Sequence, residues 1–164
     1  MRTRVWARRP AVYAAALALT AILPACGGGG GNGPTTPPVT QPPAPVRSLL
    51  FQGSFNLVSV SAANQAGFPV DALRQEFTLS AAGTLEVNAD WTFAGSQMAI
   101  GVLRGACSFA QIFADSCSEA GGVFPSAKPT RLTINNLAAG TYTFVILNVN
   151  NYTESGNYQV YLTR

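Results

Sequence analysis

Thr84-Leu85-Glu86-Val87-Asn88-Ala89-Asp90-Trp91-Thr92-Phe93 places Leu85, Val87, Ala89, Trp91 and Phe93 on one side of an extended chain and Glu86, Asn88, Asp90 and Thr92 on the other. Successive strand side chains point to opposite faces, so this alternation describes an antiparallel strand with one face in a core and one in water. The same period of two runs outward in both directions. Upstream, Phe77 and Leu79 alternate with Thr78 and Ser80 before Ala81-Ala82-Gly83 turns the chain. Phe55, Leu57 and Val60 suggest a first strand, broken by the turn region Asn64 to Pro69. Downstream, Met98, Ile100 and Val102 resume the pattern after Gly95. Leu132 and Ile134 lead to Asn135-Asn136-Leu137, a second Ala-Ala-Gly turn and a strand from Thr141 to Val149. Ser155-Gly156-Asn157 closes a last hairpin into Tyr158 to Thr163. No segment sustains a helical period, and about seven or eight short strands with turns between them predict an all-β, antiparallel β-sandwich.

The pattern starts near Ser48, and the first 47 residues read as something other than a domain. Arg2 to Arg9 form a positive segment, and Ala11 to Leu23 form an apolar stretch of about 13 residues, the layout of a secretory signal peptide. It is too short for a bilayer span, which takes about 20 residues. Leu23-Pro24-Ala25-Cys26 follows and resembles the lipobox of bacterial lipoproteins. That resemblance implies cleavage before Cys26, with acylation of its thiol and of the new amino terminus. Pro24 departs from the small residue usual at its position, and cleavage at an Ala-x-Ala-like site, leaving Cys26 a free thiol, is the alternative. Gly27 to Gly31, then Asn32-Gly33 and a Pro/Thr/Gln tract to Val46, form a flexible and then semi-rigid tether. The expected organisation is a signal peptide over 1–25, a lipid-anchored disordered linker over 26–47 and a β-sandwich over 48–164. The residue after Cys26 is not the Asp that retains some lipoproteins in the inner membrane, so an exported protein in the cell envelope, at the outer membrane, is expected.

Charge follows the same division. The formal net charge of +3 comes from ten basic and seven acidic residues, but Arg2, Arg4, Arg8 and Arg9 precede Cys26 and every acidic residue follows it. After Cys26, six basic residues face seven acidic ones, a balance of −1. Arg47, Arg74, Arg104, Lys128, Arg131 and Arg164 are scattered singly, not in a stripe that could track phosphates, so no nucleic-acid partner is expected.

A resemblance to the bacterial pre-peptidase C-terminal domain rests on three segments in order: Thr84 to Trp91, Leu137-Ala138-Ala139-Gly140-Thr141-Tyr142, and Ser155-Gly156-Asn157-Tyr158-Gln159-Val160. It spans Leu73 to Arg164. It implies a jelly-roll-like sandwich that serves beside a secreted peptidase in secretion, substrate binding or solubility. The chain departs from that pattern at Ser96-Gln97-Met98-Ala99-Ile100, which has no carboxylate, so the calcium sites of some members are not carried over. No peptidase sequence accompanies the module in these 164 residues, and it is expected to act alone.

The chemistry-bearing residues are few. With Cys26 assigned to lipid, Cys107 and Cys117 remain, in the longest irregular stretch, Arg104 to Pro129. In an oxidising compartment they are expected to pair, stabilising the fold by roughly 2–3 kcal/mol. The chain has no histidine, which removes histidine-dependent catalysis and imidazole metal sites. Paired carboxylates are the remaining catalytic route, but Asp71, Glu76, Glu86, Asp90, Asp115, Glu119 and Glu154 mostly sit on strand faces or turns, where a solvated carboxylate is the ordinary explanation. Asp115 and Glu119 are weak calcium candidates, and no cofactor is implied. Trp91, Tyr142, Phe144 and Tyr158 read as packing residues. Phe109, Ile112, Phe113 and Phe124 either tuck over the sandwich or form a contact loop. The expected function is a non-enzymatic envelope lipoprotein presenting a binding module to an envelope protein or polysaccharide. The alternatives are an accessory or chaperone-like partner of a secreted peptidase and a carboxylate-based hydrolase.

Overall fold

A computed structural model describes residues 43–124 and 127–164. The signal peptide over 1–25, Cys26 and the linker up to residue 42 lie outside the described residues.

The described chain forms eight strands: β1 (Arg47–Leu57), β2 (Asp71–Leu79), β3 (Gly83–Trp91), β4 (Met98–Arg104), β5 (Glu119–Val123), β6 (Thr130–Leu137), β7 (Gly140–Asn148) and β8 (Glu154–Thr163). Two short helices, α1 (Val60–Gln65) and α2 (Phe109–Phe113), sit in connections. One sheet has the order β1-β8-β3-β6 and the other β2-β7-β4-β5, and every pairing is antiparallel. β1 pairs with β8, β2 with β7, β3 with β6 and β4 with β5, as in one long ribbon folded back on itself. Rolling that ribbon adds the β3–β8 and β4–β7 ladders and gives a jelly roll.

The core is the set of inward-facing residues that the alternation marks out. Leu85, Val87, Ala89 and Trp91 of β3 meet Met98, Ile100 and Val102 of β4, Tyr142, Phe144 and Ile146 of β7, and Tyr158, Val160 and Leu162 of β8. Phe51, Phe77, Tyr142, Phe144 and Tyr158 form a chain of aromatic contacts between the sheets, with centroids 5.0–6.3 Å apart. The Tyr158 hydroxyl donates to Gln75 Oε1 at 2.8 Å, and burial raises its pKa above the ordinary 10.0.

Strand direction sorts the connections to two ends. The β1–β2, β3–β4, β5–β6 and β7–β8 connections lie at one, here the distal end. The β2–β3, β4–β5 and β6–β7 connections lie at the other, the proximal end, where Val46 exchanges backbone hydrogen bonds with Arg164. The eleven residues of β1 put roughly 35 Å between these ends. The chain therefore enters β1 at the proximal end.

Four local readings change. Val60 starts α1 instead of continuing a first strand, because the Ser59 side chain accepts from Ala62 N at 3.2 Å and caps a helix there. β1 begins earlier, at Arg47, with a register shift between Leu49 and Phe51 that hides its alternation. Phe93 leaves the face of β3 and is half exposed, because the N–H groups of Thr92 and Phe93 turn onto the Glu154 carboxylate at 3.2 and 3.4 Å. The stretch from Arg104 to Pro129 holds both α2 and the edge strand β5. α2 is set by a capping box in which Ser108 Oγ accepts from Gln111 N and Gln111 Oε1 accepts from Ser108 N at 2.8 Å.

Candidate functional site

The β4–β5 connection carries the predicted disulfide, and Cys107 and Cys117 are bonded. Their loop lies over the outer face of the second sheet. Cys107, Leu103 and Val145 are buried together, with Ile112, Cys117 and Leu147 packed against them as a second, smaller core. Buried Thr143 on β7 pins the loop, accepting from Cys107 N at 2.9 Å and donating to Gly105 O at 2.7 Å. Arg74 adds a bond to Cys107 O and stands 6.0 Å from the Phe109 ring.

The four residues of the predicted contact loop are divided. Ile112 tucks into the second core. Phe109 and Phe113 stack on each other at 6.0 Å over the outer face of the second sheet, with Phe109 exposed and Phe113 half-buried. Phe124 follows β5 at the distal end and is also exposed. Of the two weak calcium candidates, Glu119 has its pKa raised above the ordinary 4.5 by burial and then by the charge of Asp115. Among the described residues no third metal-ligating side chain joins them.

The distal end has a different character. Of the exposed large apolar residues described, Val58, Phe68, Phe93, Phe124 and Tyr152 all lie in connections there. Phe93 and Tyr152 meet edge to face at 5.2 Å while remaining 50% and 42% exposed. Glu154, fully buried at the start of β8, braces both loops: it accepts from the backbone of Thr92 and Phe93 and from Ser96 Oγ, itself in reach of the Tyr152 hydroxyl at 3.3 Å. Asn150 ties the same loops, its Oδ1 accepting from Gln97 N at 3.1 Å and its Nδ2 donating to Gln97 O at 2.8 Å. Buried Asn148 completes the support by donating to Leu57 O, Val58 O and Tyr152 O at 2.8–3.0 Å. An exposed aromatic pair thus stands on loops that are held rigid from below.

Beside Thr92 an open groove of about 380 Å³ runs onto the outer face of the first sheet, lined by Ser54, Asp90, Trp91, Thr92, Ser155, Gly156 and Asn157. Asp90 is its sole carboxylate and lies 3.6 Å from Lys128 Nζ, which also donates to Thr92 O at 2.9 Å. Farther along the face, Glu86 is buried between Arg47 and Arg131 and accepts from Asn88 Nδ2 at 3.0 Å.

Glu86 and Glu154 are therefore not the solvated carboxylates their positions suggest. The partners of Glu154 lie about sixty residues upstream, so no local pattern announces them. An acidic residue at an inward-facing position of an otherwise apolar-alternating strand is the one signal that could have found it. The Phe93–Tyr152 pair was missed for the same reason.

No family model matches the chain, and no curated protein does. Among solved structures, a mitogen from Yersinia pseudotuberculosis is 13% identical, covering 73% of this chain and 86% of that one with a TM-score of 0.44. A low-affinity xylan-binding module from the gut symbiont Roseburia intestinalis is 12% identical, covering 74% and 97% with a TM-score of 0.37. At these values neither likeness carries a function to this chain.

Proposed function

We propose that this chain is an exported lipoprotein, acylated at Cys26, whose jelly roll is a non-enzymatic binding module presenting its distal end to a ligand in the cell envelope. One observation carries the reading: the exposed Phe93–Tyr152 pair stands on loops braced by a fully buried carboxylate. Exposed aromatics on a rigid support cost little ordering entropy when a ligand covers them. The disposition of the acidic residues supports a non-enzymatic role. Hydrolysis by carboxylates needs two acidic groups facing one cleft, whereas the distal groove holds Asp90 alone, engaged by Lys128. Glu86 and Glu154 are committed to buried structural contacts. The lipobox-like Leu23-Pro24-Ala25-Cys26 supports the anchor, and so does the entry of the chain into β1 at the end opposite the aromatic pair.

The test has two parts. Labelling with a radioactive fatty acid is expected to mark the exported protein and to be lost in Cys26→Ser. Immobilised domain is expected to retain an envelope component that the Phe93→Ser/Tyr152→Ser double variant does not retain. A hydrolytic activity abolished by replacing one carboxylate would overturn the non-enzymatic reading.

A further inference from the structure

We infer that the ligand is a neutral polysaccharide, bound through an internal segment laid along the groove and the outer face of the first sheet. This deepens the binding-module reading and rests on it. Strand register arranges the outward-facing polar side chains, exposed on β1 and β8 and half-buried on β3, in rows. Ser54, Asn157 and Asp90 lie side by side on β1, β8 and β3, and Gln52, Gln159 and Asn88 form the next row. Same-face rows repeat at about 6.8 Å along a strand and neighbours at about 4.8 Å across it, a lattice on the scale of successive sugar units.

The chemistry of the lattice selects the class of ligand. Apart from Asp90, its members are amides and hydroxyls, which donate and accept at once, as sugar hydroxyls do. Its charged groups are already engaged with one another: Arg47 and Arg131 with Glu86, and Lys128 with Asp90. A strongly charged ligand would have to break these pairs, whereas a neutral polyol leaves them intact. Arg47 lies over the Tyr161 ring, so that aromatic is already covered. The exposed Phe93–Tyr152 pair offers aromatic surface beside the groove, since Phe93 directly follows groove-lining Thr92. An aromatic ring there offers an apolar face to the C–H side of a sugar while the adjacent groove satisfies its hydroxyls. The groove is open and continuous with the sheet, which suits the interior of a polymer better than a chain end.

The experiment is affinity electrophoresis of the mature domain in gels containing xylan, mixed-linkage β-glucan, galactomannan or, as an anionic control, alginate, with calorimetry on oligosaccharides of any polymer that retards it. At least one neutral polymer is expected to retard the protein, and its hexamer is expected to bind at least tenfold more tightly than its dimer. Asn157→Ala and Phe93→Ala, confirmed folded by thermal melting, are each expected to weaken binding about tenfold, and Phe109→Ala, beside Arg74 of the second sheet, to leave it unchanged. Retardation by none of the neutral polymers, tighter binding to alginate, or undiminished binding in both distal variants would overturn the inference. Capture of a protein by Phe93 and Tyr152 with no polysaccharide binding would overturn it while leaving the binding-module reading standing. Release of shortened oligosaccharides would overturn the binding-module reading itself.

Discussion

The outer faces of the two sheets have opposite fates. On β7 the run Phe144-Val145-Ile146-Leu147 is apolar on both faces, and the disulfide loop covers its outward side so that Val145 is only 3% exposed. On β8 the outward Ser155, Asn157 and Gln159 alternate with buried Tyr158 and Val160, and nothing in the described chain covers them. A continuous apolar run marks a strand buried on both sides, and strict alternation marks one with a free face. The disulfide-closed β4–β5 loop thus closes one face while the other stays open. The second core runs along the outer face of the second sheet from Leu103 past Val145 to Leu147, and the open face of the first sheet leads to the distal aromatic pair.

The most direct way to break this asymmetry is to place the same charge on each face. Val145→Asp buries a carboxylate without a partner and is expected to destabilise the domain by roughly 3–5 kcal/mol. Gln159→Asp, at an exposed site in register with Asn88, is expected to change stability by less than about 0.5 kcal/mol. Urea denaturation of both variants checks the pair, and equal costs would mean that the two faces are equally solvated.

Removing the staple tests what holds the cover down. The double variant Cys107→Ala/Cys117→Ala is expected to lose roughly 2–3 kcal/mol, the value for freeing a loop of this length in the unfolded chain. Hydrogen exchange at the Cys107 amide, which donates to buried Thr143, is expected to accelerate, while the Val87 and Val160 amides of the other sheet change only with global stability. Unchanged protection at Cys107 would show that packing of Ile112 and Val145 suffices without the bond.

Glu154 probes the open region. Glu154→Ala strips a partner from Ser96 Oγ and from the N–H groups of Thr92 and Phe93, and is expected to cost roughly 2 kcal/mol. Glu154→Gln retains an acceptor and is expected to cost about half as much. Neither variant should alter exchange at Cys107. If Glu154→Ala were neutral, the rigid support assigned to the aromatic pair would be absent.

These contrasts show how far the residues themselves carry the reading. β3 and β8 were legible because each buries one face, so Leu85 to Trp91 and Tyr158 to Leu162 announce both the strand and its inward side. The disulfide followed from elimination among three cysteines. α2 was not read, although Ser108 and Gln111 carry the spacing of a capping box, because its five residues are too few for a period to appear. The candidate site was the least legible. Phe93, Tyr152 and Glu154 lie in connections and at a strand end, where orientation is set by partners distant in the chain, and Phe93 continues the alternation of β3 in sequence but not in space.

The finest test concerns the covered side, where Glu119 opens β5 beside Asp115. Burial and then the Asp115 charge raise the folded-state pKa of Glu119 above 4.5, so the folded protein holds this proton more tightly than the unfolded chain does. Its ionisation therefore opposes folding: the penalty is absent below pH 4.5 and develops as pH rises through the folded-state value. Glu119→Gln removes the titration, so the variant is expected to gain on the parent as pH rises from about 3 to about 7. Asp115→Asn is expected to recover only the smaller, charge-derived part of that gain. Solvent screens both effects, because the carboxylate is mostly exposed, and they are the smallest of the series. Thermal melts across that range check the sign. A difference between Glu119→Gln and parent that is constant with pH would show that the loop covering the second sheet leaves Glu119 as freely solvated as the residues of the open face.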